Sequence, residues 1–408
     1  MLRQKGGQTA MGTKEGRMSQ QSQRRLITFL LVPAVLVLIA YYVTTIPYFK
    51  YTRGIYEFLV FLLLVDLAVA VPAKLRDVVT PIAVIIFGAA VIEIGCEATA
   101  GNSDIETRGF STSDAILGWR PSAPGIYHGE KESSNGGFIY TTDYSIDAHL
   151  LRRTVSAPDG RPVAFFGDSM TFGQGLADSE TLPQTYADLS GRKVPVYNFA
   201  FPGYGPQQFL RALETGMYDP MLSGASVFVY LTAGWHVERA ACTPGFMARA
   251  PRYVLLEDEP VFIGACAEGL SRIWADVFVA SATYHRFVEP LIKPSATDVD
   301  IYLAELRRAA ELVKQRYGAR LLVLYMSESD ALLKKSGFTD ALIKTRLQQS
   351  GIEVVDATLH ESDFPPGTVL KFPEDGQPTA IANHARAALL RDKINSMMSA
   401  TAIAPVPN

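Results

Sequence analysis

Residues 163–173 read Val-Ala-Phe-Phe-Gly-Asp-Ser-Met-Thr-Phe-Gly, an apolar run that breaks into small and polar residues. The pattern predicts a buried strand, Pro162 to Phe166, ending in a tight turn that carries Ser169, with a helix to follow. A serine so placed sits at the carboxyl end of a strand, near a helix N-terminus whose unpaired N–H groups hold an anion. An isolated Gly-Asp-Ser is more often a polar loop, so the meaning of this serine depends on the rest of the chain.

Around it, strands and helices alternate. Val194 to Ala200, Ser226 to Thr232, Leu321 to Tyr325 and Ile352 to Val355 read as four further strands. Helices are expected over Glu180 to Leu189, Pro206 to Met217, Thr297 to about Gly318, Thr339 to Gln349 and Pro378 to about Met398, with Thr297 and Asp300 resembling a capping box. This alternation predicts an α/β fold: a doubly wound, flavodoxin-like parallel sheet of about five strands. Residues 240–296 interrupt it as an insertion, with a hairpin around Tyr253 to Gly264 and a helix near Leu270 to Val288. Phe138 to Ile146 reads as one or two edge strands. Residues 138–400 are therefore expected as the folded domain, 98–137 as a linker and edge segment, and 401–408 as a tail.

The N-terminal quarter differs. Residues 1–24 are polar and predict a disordered tail, whereas Leu26 to Phe49 has no charged side chain and is long enough to cross a bilayer, which takes about 20 apolar residues. Ile55 to Ala73 and Val78 to Cys96 are further candidates, interrupted by Asp66 and Glu93, so residues 25–97 are expected to form three transmembrane helices. An Asp within an apolar segment is by default a functional candidate. Arg3, Lys5, Lys14, Arg17, Arg24 and Arg25 against Glu15 give the tail a charge of +5, which places it in the cytoplasm and everything after residue 97 on the outer side. That predicts a multi-pass protein of the cytoplasmic membrane, its C-terminal domain periplasmic. With a net charge of −3 and no basic stripe with interleaved aromatics, nucleic acid is excluded as a partner. Cys242 and Cys266 either pair or stay as buried thiols, and no Cys or His cluster suggests a metal or cofactor.

With the order strand, Gly-Asp-Ser, helix in place, residues from about 160 to 395 resemble the SGNH hydrolase superfamily, the GDSL-type esterases and lipases. Gly167-Asp168-Ser169 matches its first block, which implies that Ser169 is the nucleophile and that its N–H belongs to the oxyanion hole. Asn198-Phe199-Ala200-Phe201-Pro202-Gly203 matches the second block, so Gly203 N–H is the next implied donor, with Asp168 and Asn198 supporting. Two departures follow. Gly234-Trp235-His236-Val237 stands where the family has Gly-x-Asn-Asp, leaving His236 at the Asn position as an oxyanion donor or a substitute base. In Phe372-Pro373-Glu374-Asp375-Gly376-Gln377-Pro378 the expected Asp is Asp375, but Gln377 occupies the place of the catalytic His.

A carboxamide does not titrate near neutral pH and cannot take the serine proton as imidazole does. Among the other histidines, His384 lies two helical turns, about 10 Å, beyond Gln377, and His360 lacks motif support, which leaves His236 best placed. The resemblance implies a membrane-anchored, outward-facing serine esterase or O-acyltransferase acting on acyl esters, O-acetyl groups of cell-surface polysaccharide being the class that fits the topology. The alternative is a catalytically impaired relative that binds glycan or serves as a polysaccharide-assembly component with partners of its own.

Overall fold

The computed structural model describes residues 20–45, 51–99, 104–106, 109–133, 137–279 and 281–403. The chain divides into two compact units, Met1–Ala100 and Gly101–Asn408. Most of the tail read as disordered, residues 46–50 of the first apolar run and residues 404–408 lie outside the described residues.

The first unit contains α1 (Gln20–Thr45), α2 (Thr52–Ala70) and α3 (Ala73–Thr99). Helices α2 and α3 form a close hairpin: Arg53 Nε lies 3.1 Å from Glu57 Oε1 and 3.5 Å from the buried Glu93, and Phe61 meets Phe87 at 4.9 Å between ring centroids. Gly54 lets the helices approach, since a Cβ there would stand 2.3 Å from Ile94 Cγ1. Among the described residues α3 is the one helix long and apolar enough to cross a membrane, and Leu31–Val43 is a shorter apolar stretch within α1. The charges of Arg53, Glu57 and Asp66 keep α2 below that standard, so three spans rest on the sequence for the other two.

The second unit is built on five parallel strands: β1 (Val163–Phe166), β2 (Val196–Asn198), β3 (Val227–Ala233), β4 (Arg320–Met326) and β5 (Glu353–Asp356). Their order across the sheet is β2-β1-β3-β4-β5, with every pair parallel. This is the doubly wound order expected, and its topological switch point lies between β1 and β3. Period-two alternation separates the strand side chains into two cores. Ala164, Phe166, Phe228, Tyr230 and Val323 pack under α5 (Pro206–Thr215), α6 (Ala296–Tyr317) and α7 (Asp340–Gln349). Val163, Phe165, Val229, Leu231 and Leu324 face α4 (Leu182–Leu189) and α8 (Ala380–Ile403). Because both faces are covered, the strands read as continuous apolar runs. The box that caps α6 lies two residues before the expected one: Ser295 Oγ accepts from Asp298 N–H while Asp298 accepts from Ser295 N–H.

The segment read as a linker and edge is instead largely β structure. Asp104–Glu106, Gly125–Glu132 and Phe138–Ile146 form an antiparallel sheet, and Ser111–Asp114 pairs with Gly118–Pro121. These strands carry no long apolar alternation because much of their surface faces solvent, so periodicity had nothing to register. The hairpin expected around Tyr253 to Gly264 is present, Pro251–Leu256 with Glu259–Ala265, and the single helix expected after it is two, Gly269–Val279 and Ala282–Phe287. A disulfide joins Cys242 to Cys266 with Cα atoms 5.5 Å apart, resolving the alternative left open by the sequence.

One buried carboxyl stands out in α6. Glu305 is fully buried, neither carboxyl oxygen has a hydrogen-bond partner, and burial followed by Glu214 raises its pKa well above the ordinary carboxyl range. A raised folded-state pKa leaves stability untouched below the unfolded-state pKa and removes it progressively as pH rises from there through the folded-state pKa. Glu305→Gln is therefore expected to stabilise the protein more at pH 8 than at pH 5, measured as the difference in urea midpoint from wild type at each pH.

Candidate active site

Strand β1 delivers Ser169 to the crevice at the switch point. Gly167, at φ +149°, makes the turn possible: a Cβ there would stand 2.3 Å from Thr171 Oγ1 and 3.3 Å from Leu231 O. Asp168 then caps the single helical turn Ser169–Phe172, accepting from Met170 N–H at 3.0 Å. Asn198, fully buried at the end of β2, donates through Nδ2 to Thr171 O at 3.1 Å and accepts from Ala200 N–H at 3.2 Å, joining the Ser169 turn to the next loop. In that loop Gly203 takes φ +82° and is held from one side by Trp119, whose Nε1 donates to Pro202 O at 3.0 Å. Neither Ser169 N–H nor Gly203 N–H donates to a protein acceptor among the described residues.

The loop before α8 completes the cleft. Phe372 N–H donates to Gln377 O at 2.8 Å and Gly376 N–H to Phe372 O at 2.9 Å, closing a tight turn with Glu374 and Gly376 at positive φ. This turn presents Gln377, whose Nε2 donates to Ser169 Oγ at 2.9 Å. The amide occupies the place of the expected imidazole and contacts the serine directly. Rotating the amide by 180° would instead aim Oε1, which is buried without a partner, at the hydroxyl proton. Asp375 is also buried in this turn, accepting from Gln377 N–H at 3.3 Å and pairing with Lys131 of the antiparallel sheet.

His236 is placed beneath the cleft. It is fully buried, its Nδ1 accepts from Ala233 N–H at 3.2 Å, and its Nε2 faces Arg239 Nη1 at 3.1 Å and Asp168 Oδ2 at 3.5 Å. Burial, with the charge of Arg239, pushes its pKa down to about 3, so the ring is neutral. With Nδ1 taken by a backbone donor, the single proton belongs on Nε2, and no lone pair remains for a serine proton. The substitute-base expectation is therefore corrected by the hydrogen bonding of the ring. His360 and His384 are exposed, and neither lines the cleft.

Sequence reasoning passed over Arg239. Its Nη1 donates to Asp168 Oδ2 at 2.8 Å and to Tyr204 O at 2.6 Å, tying together the loops after β1, β2 and β3. Burial alone would raise the Asp168 carboxyl, but Arg239 holds it below the ordinary range. The cleft has a volume of about 480 Å³, and its lining includes Ser169, Gln377, Arg239, Trp235, Glu238 and Phe246. No group of His, Cys, Asp and Glu among the described residues is arranged to hold a metal.

No protein-family model matches this chain, and no curated protein matches it. Among solved structures it is similar to a member of the lipolytic G-D-S-L family from Veillonella parvula, at 14% identity over 57% of this chain and 97% of that one, TM-score 0.33. It is likewise similar to a carbohydrate acetylesterase family member from Sinorhizobium meliloti, at 13% identity over 59% and 100%, TM-score 0.35. An acetylxylan esterase from Geobacillus stearothermophilus matches at 11% identity over 59% and 96%, TM-score 0.33.

Gly203→Ala forces a side chain into left-handed backbone, which costs about 1–2 kcal/mol, and sets its Cβ 3.1 Å from Trp119 Cζ2. Gly224, at φ +70°, has open space around it. Thermal denaturation is expected to show a larger loss for Gly203→Ala than for Gly224→Ala, the difference reporting the crowding against Trp119.

Proposed function

We propose that this chain is a membrane-anchored, outward-facing SGNH-type serine esterase or O-acyltransferase whose cleft accepts acyl esters, with O-acetyl groups of cell-surface polysaccharide as the substrate class. The observation that carries the reading is the meeting of Ser169 with the Asp375–Gln377 turn at the switch point, where Gln377 Nε2 reaches Ser169 Oγ at 2.9 Å. Residues 25–97 are the membrane region, with three spans, and the tail is cytoplasmic. The Cys242–Cys266 disulfide supports placing the second unit outside the cytoplasm, where such bonds persist.

On this reading Ser169 Oγ attacks the acyl carbonyl, and Ser169 N–H and Gly203 N–H receive the oxygen anion of the tetrahedral intermediate. The hydroxyl proton passes to solvent water; collapse then breaks the bond to the sugar oxygen, which takes a proton from solvent and leaves as the alcohol, and the acyl group stays on Ser169. Water then yields acetate, or a second hydroxyl takes the acyl group, the two outcomes sharing one intermediate. Gln377 steadies Oγ through a donated hydrogen bond but cannot carry its proton, so deprotonation of the serine limits the rate.

The same contact favours a second reading, in which the cleft binds an acylated glycan without cleaving it and the chain acts in polysaccharide binding or assembly. Gln377→His separates the two. General-base catalysis is typically worth 10²–10⁴ in rate, so restoring the imidazole is expected to raise hydrolysis of an acetyl ester by about a hundredfold or more over wild type, with Ser169→Ala inactive. Wild type, Gln377→His and Ser169→Ala equally inert across several acetyl esters would sink the catalytic reading. Retained binding of acetylated polysaccharide by all three would then establish the binding one.

A further inference from the structure

The third donor expected at the oxyanion position is missing from position 236. The family places an Asn side chain there, whereas His236 is turned into the core, its ring held by Ala233 N–H and facing Thr232 Oγ1 at 3.1 Å. It does not line the cleft. Three residues later, nearly one helical turn on, Arg239 does line it.

Arg239 is held in an unusual way. All of its side-chain hydrogen bonds run through Nη1, which donates to Asp168 Oδ2 and to Tyr204 O and lies 3.1 Å from His236 Nε2. Its own carbonyl accepts from Gln207 Nε2 at 2.6 Å, and Gly205 comes so near that a Cβ on it would stand 2.9 Å from Arg239 Cβ. The guanidinium plane is thereby fixed against the two loops that carry Ser169 and Gly203. Nε–H and the Nη2 hydrogens have no protein acceptor among the described residues, and the side chain keeps 14% of its surface exposed, on the cleft side. The other cation lining the cleft, Lys371, pairs with Glu328. A clamp would need only the Nη1 bonds. The remaining donors of a fixed, always charged fork are those that bind a developing oxyanion.

We propose that Arg239 is a catalytic residue that supplies the third oxyanion donor of this cleft, through Nε–H or Nη2–H, in place of the side chain at position 236. The inference rests on the acyl-ester reading above and deepens it: the site recognises an acyl carbonyl as it becomes tetrahedral and negatively charged, with a charged donor compensating for the missing base.

Phenylboronic acid tests this without requiring turnover. Ser169 Oγ adds to boron, the hydroxyl proton goes to solvent, no bond to boron breaks, and the product is a tetrahedral anion with the geometry of the intermediate. Boron NMR on the full chain in detergent distinguishes this adduct from trigonal boronic acid, and acetanilide serves as a neutral, trigonal ligand of similar size. Removing one oxyanion donor costs 10²–10³ in the transition state, so Arg239→Met is expected to weaken the boronate adduct about a hundredfold while leaving acetanilide binding within about threefold. Arg239→Lys, which keeps the charge and loses the fork, is expected to fall between. If Arg239→Met fails to fold because Asp168 is left without its partner, the double variant Asp168→Asn with Arg239→Met removes the stranded charge and is compared with Asp168→Asn alone. Equal boronate affinity with and without Arg239 overturns the proposal, as does parallel loss of boronate and acetanilide binding, the signature of a structural clamp. Absence of a Ser169-dependent adduct in the wild-type protein overturns the acyl-ester reading itself and this proposal with it.

Discussion

The ion pair between Arg239 Nη1 and Asp168 Oδ2, 2.8 Å long and almost withdrawn from solvent, is the contact on which the site depends. Breaking a buried pair by losing one partner strands a charge, which is far more costly than the net value of the pair. Because Arg239 also donates to Tyr204 O, the same guanidinium fixes the loop that carries Gly203. Three loops from three different strands thus share one rigid donor. The fold sets this up: β1 and β3 are neighbours at the switch point, so the loops leaving them diverge on opposite sides of the sheet and open a crevice between them.

Within that crevice the chemistry is asymmetric. On the proposed reading, the donors for negative charge are Ser169 N–H, Gly203 N–H and the Arg239 fork. The side that should remove a proton holds an amide, Gln377, backed by an Asp375 that is already engaged by Lys131. In a serine hydrolase the aspartate orients and charges an imidazole. Here it accepts from a backbone N–H and a lysine, so its charge is spent on holding the turn. The antiparallel strands supply that lysine and also Trp119, which makes them part of the site and more than a covering edge.

Much of the fold was legible in the residues because its signals are local. The continuous apolar runs of β1, β3 and β4 mark strands covered on both faces, and Pro206 and Gly318 mark helix ends. The first two blocks of the site were legible for the same reason: Gly167 and Gly203 sit where the backbone turns at positive φ, and such positions leave a glycine in the sequence. The strands between residues 104 and 132 were not legible, since they pair with distant partners and expose much of their surface, leaving no periodic trace.

By itself the sequence determined the order of strands and helices around the parallel sheet, the apolar character of α3, the placement of a serine at a strand end and the substitution of Gln377 for a histidine, because each is a property of residue type and spacing along the chain. The tertiary structure decided which side chains meet. It turned His236 inward to a backbone donor, paired Asp375 with a lysine more than two hundred residues away, joined Cys242 to Cys266, and set Arg239 beside Ser169. Those outcomes depend on where a parallel sheet brings separate loops together and on how each buried polar group finds its partner, and neither is encoded at any single position.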